Sequence, residues 1–576
     1  MLESLFFLFI ALAAGAIAAP AAQIPLTTVI LDCEHHTGKS LPAQLISSGA
    51  VDATFTGRAN ETTGLTYFLG MRFADAPVGD LRWRAPVSPP STPLGSVNAT
   101  AYGSACIGAS QPNAGATTSE DCLSTNVYLP TNGTTPTSKL PVLVFMYGGG
   151  FESGRSSKFP PEDLLPASAQ PLILVTFNYR VGQFGFLAGT PVHDEGVINV
   201  GLLDQQAALK WVQRYISLFG GDPTRVTLWG QSAGAGSLLY HVSGFFSGFS
   251  DEYLADRVKM IAQGGTANEG LFSQVIGDSP PTLYLPSYDD PHVTTLFNTF
   301  NSLAGCDDDG DDSASIMDCL RGASTATIAS AGASTLDALP DALFPLVPIL
   351  DGVYLTQRTY DALSSGSFMR VPAIFGSNTN EGARWSADLT DPGANTSSPN
   401  ADEDTVFAFL VGQYPTLTQD TFVAAVSQHY PLSAFAGNVS LQGQQMYGEL
   451  RYICTSVLGA RSAAVQGLPA YGYRYNNPLR GSNHGDELDS FFLTPPTVDA
   501  ADAALVSNMR QYWTSFATTG TPSAAGAPVW TTFDVPAIPS GARILLQPGG
   551  VSMEAVDSGL LDRCAFWASV KDELSI

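Results

Sequence analysis

The stretch Gly230–Gly234 constrains the fold of this 576-residue chain more than any other feature. It follows the apolar run Arg225–Trp229 and precedes a helix-compatible segment, which is typical of a sharp strand-to-helix turn presenting a serine, here Ser232. Flanking glycines are needed at such a turn because a side chain there would collide with neighbouring backbone. The helix beginning beside the serine directs free N–H groups and its positive dipole end toward an oxyanion. The sequence therefore predicts a nucleophilic serine at the sheet edge, with its hydroxyl exposed to solvent.

A second glycine motif, Tyr147–Phe151, contains three consecutive glycines and follows the strand-like apolar run Leu140–Met146. Glycines after a buried strand let backbone N–H groups approach a ligand closely, as stabilisation of a tetrahedral oxyanion requires. We therefore expect the amides of Gly149, Gly150 and Ala233 to form an oxyanion hole. A glycine-rich loop without a ligand is the alternative, and the serine turn downstream makes it the weaker one.

A nucleophilic serine needs a histidine base, and four of the seven histidines follow Ser232. In sites built on this turn, the acid and then the base follow the serine along the chain. His484 is favoured because it lies in a turn-forming loop after the strand-like run Ala470–Tyr475. The other three histidines are expected elsewhere. His241 should lie on the helix after the serine, His292 in a surface loop and His429 on a helix face.

The acid should lie in a loop just beyond a buried strand, where it can accept a hydrogen bond from the imidazole and fix its tautomer. Glu381, which follows the apolar run Val371–Phe375 and a turn-rich segment, fits this description best. Asp351 competes with it, since it follows the apolar run Leu346–Leu350. Asp278 is a weaker third candidate.

These motifs resemble the type-B carboxylesterase and lipase family of the α/β-hydrolase fold, which includes cholinesterases and fungal lipases. The resemblance spans nearly the whole mature chain and includes further motifs at Phe68–Ala74, Pro77–Trp83, Ser119–Leu123, Asn178–Gly182, Asn199–Gln205, Tyr512–Ala517 and Cys564–Trp567. It implies Ser232, Glu381 and His484 as the catalytic triad, and so favours Glu381 over Asp351. It also implies two structural ion pairs: Arg82 with Glu120, and Arg180 with Asp204.

Seven cysteines favour an oxidising compartment. The resemblance implies two disulfides that close short local loops, Cys106 with Cys122 and Cys306 with Cys319. Three cysteines remain, and they cannot all pair within one chain: Cys33, Cys454 and Cys564. At least one of these is expected to be free and buried.

Strand-like runs alternate with helical patterns along the chain, most clearly in the i, i+4 apolar spacing of Leu203–Ile216. Alternation of this kind favours an α/β-hydrolase fold with a mostly parallel central sheet, helices on both faces and long insertions. No linker-like change of composition or internal repeat divides the chain, so residues 19–576 are expected to form one domain. The net charge of −26 disfavours nucleic acid as a partner.

Residues 1–18 are expected to be a signal peptide, because the apolar stretch beginning at Leu5–Leu12 ends in a small-residue cleavage pattern at Ala16–Ala18. The segment departs from the usual form in having Glu3 and no lysine or arginine before the apolar stretch. It is shorter than the roughly 20 residues that span a bilayer, so no stable membrane insertion is expected. Five glycosylation motifs fit a secreted protein: Asn60, Asn98, Asn132, Asn395 and Asn438.

The loop Ile107–Asp121 gives the clearest indication of substrate. In relatives of this family it forms a lid or supplies a tryptophan for a cationic substrate, but here it is a polar stretch without Trp, Phe or Tyr. An amphipathic lid needs an apolar helical face, and a cation needs an aromatic one. The neutral Gln231, where relatives often have Glu, also disfavours a choline-type substrate.

We therefore expect a lidless serine esterase that acts on small or soluble esters. A lipase or sterol esterase whose lid comes from another insertion is the alternative, and a non-catalytic adhesion protein of the same fold is a weaker one. No cofactor or metal is expected, because the acidic run Asp307–Asp312 lacks the calcium-loop pattern and Cys33–His36 lacks a second ligand cluster. The sequence does not indicate the oligomeric state.

Overall fold

Two β-sheets organise the chain in the computed structural model, which describes residues 26–31, 53–243, 270–307, 312–492, 498–533 and 541–576. The strands are β1 (Thr28–Leu31), β2 (Ala53–Thr56), β3 (Arg58–Asn60), β4 (Leu65–Arg72), β5 (Gly95–Asn98), β6 (Ser124–Pro130), β7 (Leu140–Met146), β8 (Ile173–Phe177), β9 (Gly221–Gln231), β10 (Gln274–Asp278), β11 (Ala373–Asn378), β12 (Ala470–Tyr475), β13 (Ala542–Leu546) and β14 (Ser552–Ala555).

The α-helices are α1 (Gly182–Phe186), α2 (Thr190–Glu195), α3 (Val200–Tyr215), α4 (Ala233–Ser243), α5 (Pro291–Leu303), α6 (Ser313–Gly322), α7 (Thr325–Asp337), α8 (Thr359–Ser365), α9 (Glu403–Gln413), α10 (Gln419–Gln428), α11 (Val439–Gly448), α12 (Cys454–Val465), α13 (Asp489–Phe492), α14 (Ala500–Thr519), α15 (Ser558–Ser569) and α16 (Lys571–Leu574). A π-helical turn, Glu449–Ile453, joins α11 to α12.

The large sheet has eleven strands in the order β14-β13-β12-β11-β10-β9-β7-β8-β6-β4-β3. Six of its ten pairings are parallel, and they join β8, β7, β9, β10, β11, β12 and β13 into one block. Helices cover both sides of this sheet. In a parallel sheet, the helices that connect successive strands pack on the two faces and so cover them. The predicted α/β-hydrolase architecture is confirmed.

The parallel block brings five chain segments to one edge of the sheet. Parallel strands share a direction, so the residues that follow β7, β9, β10, β11 and β12 all lie at the carboxyl edge, where open α/β sheets bind their ligands. These segments contain the glycine run, Ser232, Ser279, Glu381 and His484. The sheet topology therefore collects residues from Gly148 to His484, which are 336 positions apart in the sequence (484 − 148).

Two local predictions have different outcomes. The i, i+4 apolar pattern lies in α3, where Leu203, Ala207 and Trp211 are buried, followed by a 3-10 turn. The apolar run Leu346–Leu350 is not a strand, because its backbone makes only an isolated bridge from Leu350 to Ser287. Apolar composition does not create a strand where no neighbouring strand is available for pairing.

Both ion pairs implied by the family resemblance are formed and buried. The guanidinium of Arg82 donates to both carboxylate oxygens of Glu120 at 2.7 Å. Arg180 binds Asp204 in the same two-point manner, also at 2.7 Å. Removing one partner of such a buried pair would cost about 3–5 kcal/mol, because it would leave a charge uncompensated.

Three disulfides join described residues. Cys106 pairs with Cys122, and Cys306 with Cys319, in the two local loops that the resemblance implies. Cys454 pairs with Cys564 across 110 positions, which the sequence left open. The predicted signal peptide, Cys33 and residues 308–311 of the acidic run lie outside the described residues.

No helix in the described parts of the chain is both long and apolar enough to cross a membrane.

Candidate active site

The turn that presents Ser232 is built as the glycine spacing predicts. Strand β9 ends at Gln231 and α4 begins at Ala233, so Ser232 alone makes the turn, with a φ of 56°. A Cβ atom on Gly230 would lie 2.3 Å from the carbonyl oxygen of Gly234, and one on Gly234 would lie 2.1 Å from that of Met146. Side chains at these two positions would therefore prevent the strained turn from closing.

Ser232 is mostly buried in its turn. The residue is only 8% exposed. Gly148 lies directly against it, since a Cβ built there would be 2.6 Å from the Cβ of Ser232. The glycine run after β7 therefore packs against the serine turn.

The glycine run brings backbone amides to the same place. Gly149 and Gly150 have φ values of 124° and 65°, which favour glycine, and a Cβ on Gly150 would lie 2.1 Å from the ring of Phe344. The amides of Gly149, Gly150 and Ala233 donate no hydrogen bond to any other group in the described chain. The Ala233 amide also lies at the N-terminus of α4, where the helix dipole favours an anion.

Glu381 is 1% exposed and receives hydrogen bonds at both carboxylate oxygens. The Ser279 hydroxyl and the Asn378 amide donate to Oε1 at 2.6 and 2.5 Å. The Oε2 atom lies 2.6 Å from Nδ1 of His484. An Nδ1–H that donates to Glu381 leaves Nε2 of the imidazole as the acceptor, which is the tautomer that a general base requires.

The imidazole of His484 is held between the acid and two aromatic rings. Its ring centroid lies 4.1 Å from that of Tyr452 and 5.4 Å from that of Trp385. Its Nε2 atom is buried and has no hydrogen-bond partner among the described residues. The Trp385 indole donates to the carbonyl oxygen of Glu381 at 2.8 Å, so the same ring also fixes the acid loop.

The loops of the three candidate residues are in contact. The Asn380 amide donates to the carbonyl oxygen of Ser482 at 2.9 Å, which joins the acid loop to the histidine loop. A Cβ on Gly485 would lie 3.6 Å from Nε2 of Gln231, which places the histidine loop against the residue before the serine. The Ser232 hydroxyl and His484 form no hydrogen bond with each other. Such bonds are often long in free enzymes and shorten when substrate binds.

Two further buried carboxyl groups lie near Glu381. Burial raises the pKa of Asp278 to about 7, although the Trp229 indole donates to its Oδ2 at 2.6 Å. Burial raises the pKa of Glu487 well above its usual value, and its carboxylate contacts the side-chain amide of Asn378. The neighbouring Glu381 also raises the pKa of both groups, because it disfavours a second negative charge nearby.

The competing acid, Asp351, has a structural role. Its Oδ1 accepts hydrogen bonds from the main-chain amides of Val353, Tyr354 and Leu355 at 2.7–2.9 Å. Its Oδ2 accepts one from Asn199 at 2.7 Å. These donors use both oxygens to hold a turn.

The other three histidines have partners of their own. His241 lies on α4, as predicted, where its two ring nitrogens lie within 3 Å of Tyr354 and Gln205, and burial lowers its pKa to about 3. His292 lies in the first turn of α5 and not in a loop. His429 directly follows α10, and its ring lies 4.6 Å from that of Phe566.

The site includes residues that the sequence analysis did not single out. Ser279 and Asn378 orient Glu381, and both stand at the ends of parallel strands, which is a signal that could have found them. Tyr452 and Trp385, which flank His484, gave no such signal, since one lies in a π-helical turn and the other in a short 3-10 turn.

The loop Ile107–Asp121, described over its whole length, contains no helix. Residues 112–117 within it are exposed. The five predicted glycosylation sites are exposed or half-exposed.

Comparison with known proteins gives consistent matches. A sequence model of the carboxylesterase family matches residues 44–552. Lipase 4 of Diutina rugosa is 30% identical to this chain, over 83% of this chain and 92% of that protein. Secreted lipase 1 of Botryotinia fuckeliana is 29% identical, over 92% and 93%. The crystal structure of Aspergillus niger EstA superposes with a TM-score of 0.77 at 31% identity, over 91% of this chain and 98% of that one. The chain therefore belongs to the carboxylesterase family and is a hydrolase of carboxylic esters.

Proposed function

We propose that the protein is a secreted serine esterase that cleaves small or soluble esters with a triad of Ser232, Glu381 and His484. One observation supports this proposal most directly. The 2.6 Å contact between Nδ1 of His484 and Glu381 leaves a buried, unpaired Nε2 in a loop that touches the nucleophile turn. Leaving a buried nitrogen without a hydrogen-bond partner costs free energy. We attribute the missing partner to the role of Nε2, which exchanges a proton with Ser232 and the substrate.

The proposed reaction is acyl transfer in two steps. His484 takes the proton of Ser232 as the hydroxyl oxygen attacks the ester carbonyl, and Glu381 stabilises the imidazolium. The amides of Gly149, Gly150 and Ala233 donate to the oxyanion. The imidazolium then protonates the leaving alcohol, and a water molecule, activated by the same histidine, releases the acid. Apart from the ester and this water molecule, the scheme uses only groups of the chain.

The preference for small or soluble esters is supported by the first disulfide loop. Its exposed portion is polar and lacks the helix that an amphipathic lid requires. The alternative, a lipase with a lid from another insertion, is favoured by the names of two relatives, which are lipases. A non-catalytic adhesion protein is disfavoured, because all three triad residues are present.

Secretion and processing belong to the same proposal. Residues 1–18 would be removed as a signal peptide, leaving 19–576 as one domain. Three disulfides and accessible sequons at Asn60, Asn98, Asn132, Asn395 and Asn438 support an extracellular protein. The relative from Botryotinia fuckeliana is named as secreted.

Substitution of the proposed nucleophile tests the triad. Ser232→Ala should lower kcat for a p-nitrophenyl ester by a factor on the order of 10⁴–10⁶ while the unfolding midpoint stays close to that of the parent. Ser433→Ala, which changes an exposed serine, is the matched control. Near-parental turnover by Ser232→Ala, in a preparation free of other esterases, would contradict the proposal.

A chain-length profile tests the substrate class. Rates on p-nitrophenyl esters from acetyl to palmitoyl, with and without an emulsion, should be highest for short soluble esters and should not rise at an interface. A preference for long chains with interfacial activation would favour the lipase alternative.

A further inference from the structure

One buried arginine differs from the others in the described chain. Five arginines there are buried, and four donate to a carboxylate or a main-chain carbonyl: Arg82 to Glu120, Arg180 to Asp204, Arg321 to Glu195 and Arg543 to Glu554. The fifth, Arg451, is 5% exposed and makes no ion pair with a described carboxylate. A buried cation without a counter-ion is costly, so its presence calls for an explanation.

The polar groups around Arg451 in the described chain form no ion pair with it. Its Nε is buried without a hydrogen-bond partner in the described chain. Its polar neighbours are the phenols of Tyr414, Tyr447 and Tyr452, whose pKa values are raised by burial, so they stay neutral near pH 7. The carboxyl of Glu152 makes no ion pair with Arg451, although the positive charge of Arg451 partly offsets the rise in the pKa of Glu152, to about 8, that burial causes.

Arg451 lines a cavity with a volume of about 60 Å³ for the centres of water molecules. A single water needs roughly 10–15 Å³ on this measure, so the cavity has room for a few waters or a short chain with a polar end. The remaining wall is mainly apolar, and its polar members include Tyr284, His292 and Gln413. Small-molecule sites are usually apolar pockets with a few polar groups in the wall, and this small cavity has such a lining.

The cavity adjoins the proposed catalytic centre through Phe344. This ring lines the cavity, and its atoms lie so close to Gly150 that a Cβ there would overlap them. The ring of Trp385 lies 5.6 Å from that of Phe344 and 5.4 Å from that of His484. Tyr452, the neighbour of Arg451 in the sequence, packs on the same imidazole. The cavity and the glycine run of the proposed oxyanion hole therefore share the ring of Phe344 as a common wall.

We propose that Arg451 binds a free carboxylate of the substrate, so that the enzyme prefers esters that carry a second, ionised carboxyl group, such as half-esters of short dicarboxylic acids. The proposal rests on the esterase function proposed above and narrows its substrate class. A guanidinium suits this task because its parallel N–H donors match the two oxygens of a carboxylate. With a net charge of −26, the protein as a whole repels anions, so an anionic substrate needs a local cation.

Paired substrates test the proposal. The ratio of kcat/KM for monomethyl glutarate to that for methyl pentanoate should be well above one in the parent, and Arg451→Met should lower it about 10- to 100-fold. Arg451→Lys, which keeps the charge but not the two-point geometry, should retain part of the ratio. Arg370→Met removes the same charge from an exposed position and should leave the ratio at the parental value.

A second pair shows which side of the ester bears the carboxylate. Monomethyl glutarate places it on the acyl side, whereas 3-acetoxypropionate places it on the alcohol side, with propyl acetate as the neutral match. The side whose ratio depends on Arg451 is the one that occupies the cavity. A parental preference for the neutral ester in both pairs, with equal losses on all esters in Arg451→Met, would overturn the proposal.

Binding of glutarate to the Ser232→Ala variant, measured by calorimetry, separates this proposal from the triad assignment. We expect saturable binding that is lost when Arg451→Met is added. If glutarate does not bind while turnover of methyl pentanoate depends on Ser232, the carboxylate site is wrong and the triad stands. If glutarate binds through Arg451 while Ser232→Ala retains turnover, the triad is wrong and the carboxylate site stands.

Discussion

Three carboxyl groups buried near His484 differ in what surrounds them. Glu381 receives a hydroxyl and an amide donor at one oxygen and the imidazole at the other, which suits a carboxylate. Asp278 has the Trp229 indole as its donor, and Glu487 has the Asn378 side chain. Burial raises the pKa of both of these groups. Their surroundings thus favour the neutral acid, so that little competing negative charge lies beside the proposed Glu381–His484 pair.

Asp278→Asn should flatten the dependence of stability on pH. A carboxyl whose pKa is higher in the folded chain binds more protons when folded, so its contribution is full below the unfolded value of 3.8 and is lost as pH rises to about 7. A shift of roughly three pKa units corresponds to about 4 kcal/mol. Urea unfolding of parent and variant at several pH values between 4 and 7 measures the difference. Asparagine keeps an acceptor for the Trp229 indole.

The exposed Asp337 provides the matched control. Asp337→Asn should reproduce the parental fall in unfolding free energy between pH 4 and 7. A parental slope in Asp278→Asn as well would show that this carboxyl titrates in the folded protein as it does in the unfolded chain.

At the scale of elements, the carboxyl ends of parallel strands explain how much of the candidate site could be predicted. The serine turn, the glycine run and the loops of Glu381 and His484 each follow an apolar run that proved to be a strand of the block. Local composition and turn residues therefore contained the necessary information.

Other features depend on contacts between distant segments, which local composition does not specify. The apolar run ending at Leu350 has no strand to pair with, so it is not a strand. The rings of Tyr452 and Trp385 reach His484 only through the packing of helical turns. The contact of Gly148 with Ser232 likewise joins segments that are far apart in the sequence. Pairing of Cys454 with Cys564 requires α12 and α15 to meet.

Removal of this long-range disulfide should destabilise the protein more than removal of a local one. The bond between Cys454 and Cys564 closes a loop of about 110 residues, and that between Cys306 and Cys319 one of about 13. In the chain-entropy model these loops correspond to about 4.7 and 3 kcal/mol. Urea unfolding midpoints of the two double Cys→Ala variants measure the order. A larger loss from the local pair would show that chain entropy does not dominate here.

At the scale of the whole molecule, repulsion among negative charges opposes the folded state, which the burial of apolar side chains stabilises. The chain has 52 acidic and 26 basic residues, and its isoelectric point is about 4.4. Nine acidic residues of the described chain are buried, so most of its acidic side chains lie at or near the surface. Like charges on a compact surface repel one another more than they do in an expanded chain.

The urea unfolding midpoint at pH 7.5 should therefore rise when NaCl is increased from 10 to 150 mM. The screening length falls from about 30 Å to about 8 Å over this range, from nearly the dimensions of a domain to the spacing of neighbouring side chains. Urea is uncharged and so does not itself screen the repulsion. At pH 4.5, close to the isoelectric point, the same change of salt should have little effect, because the net charge is then small. An equal rise at both pH values would point to salt acting through apolar burial, and a fall at pH 7.5 would show that specific ion pairs outweigh the net repulsion.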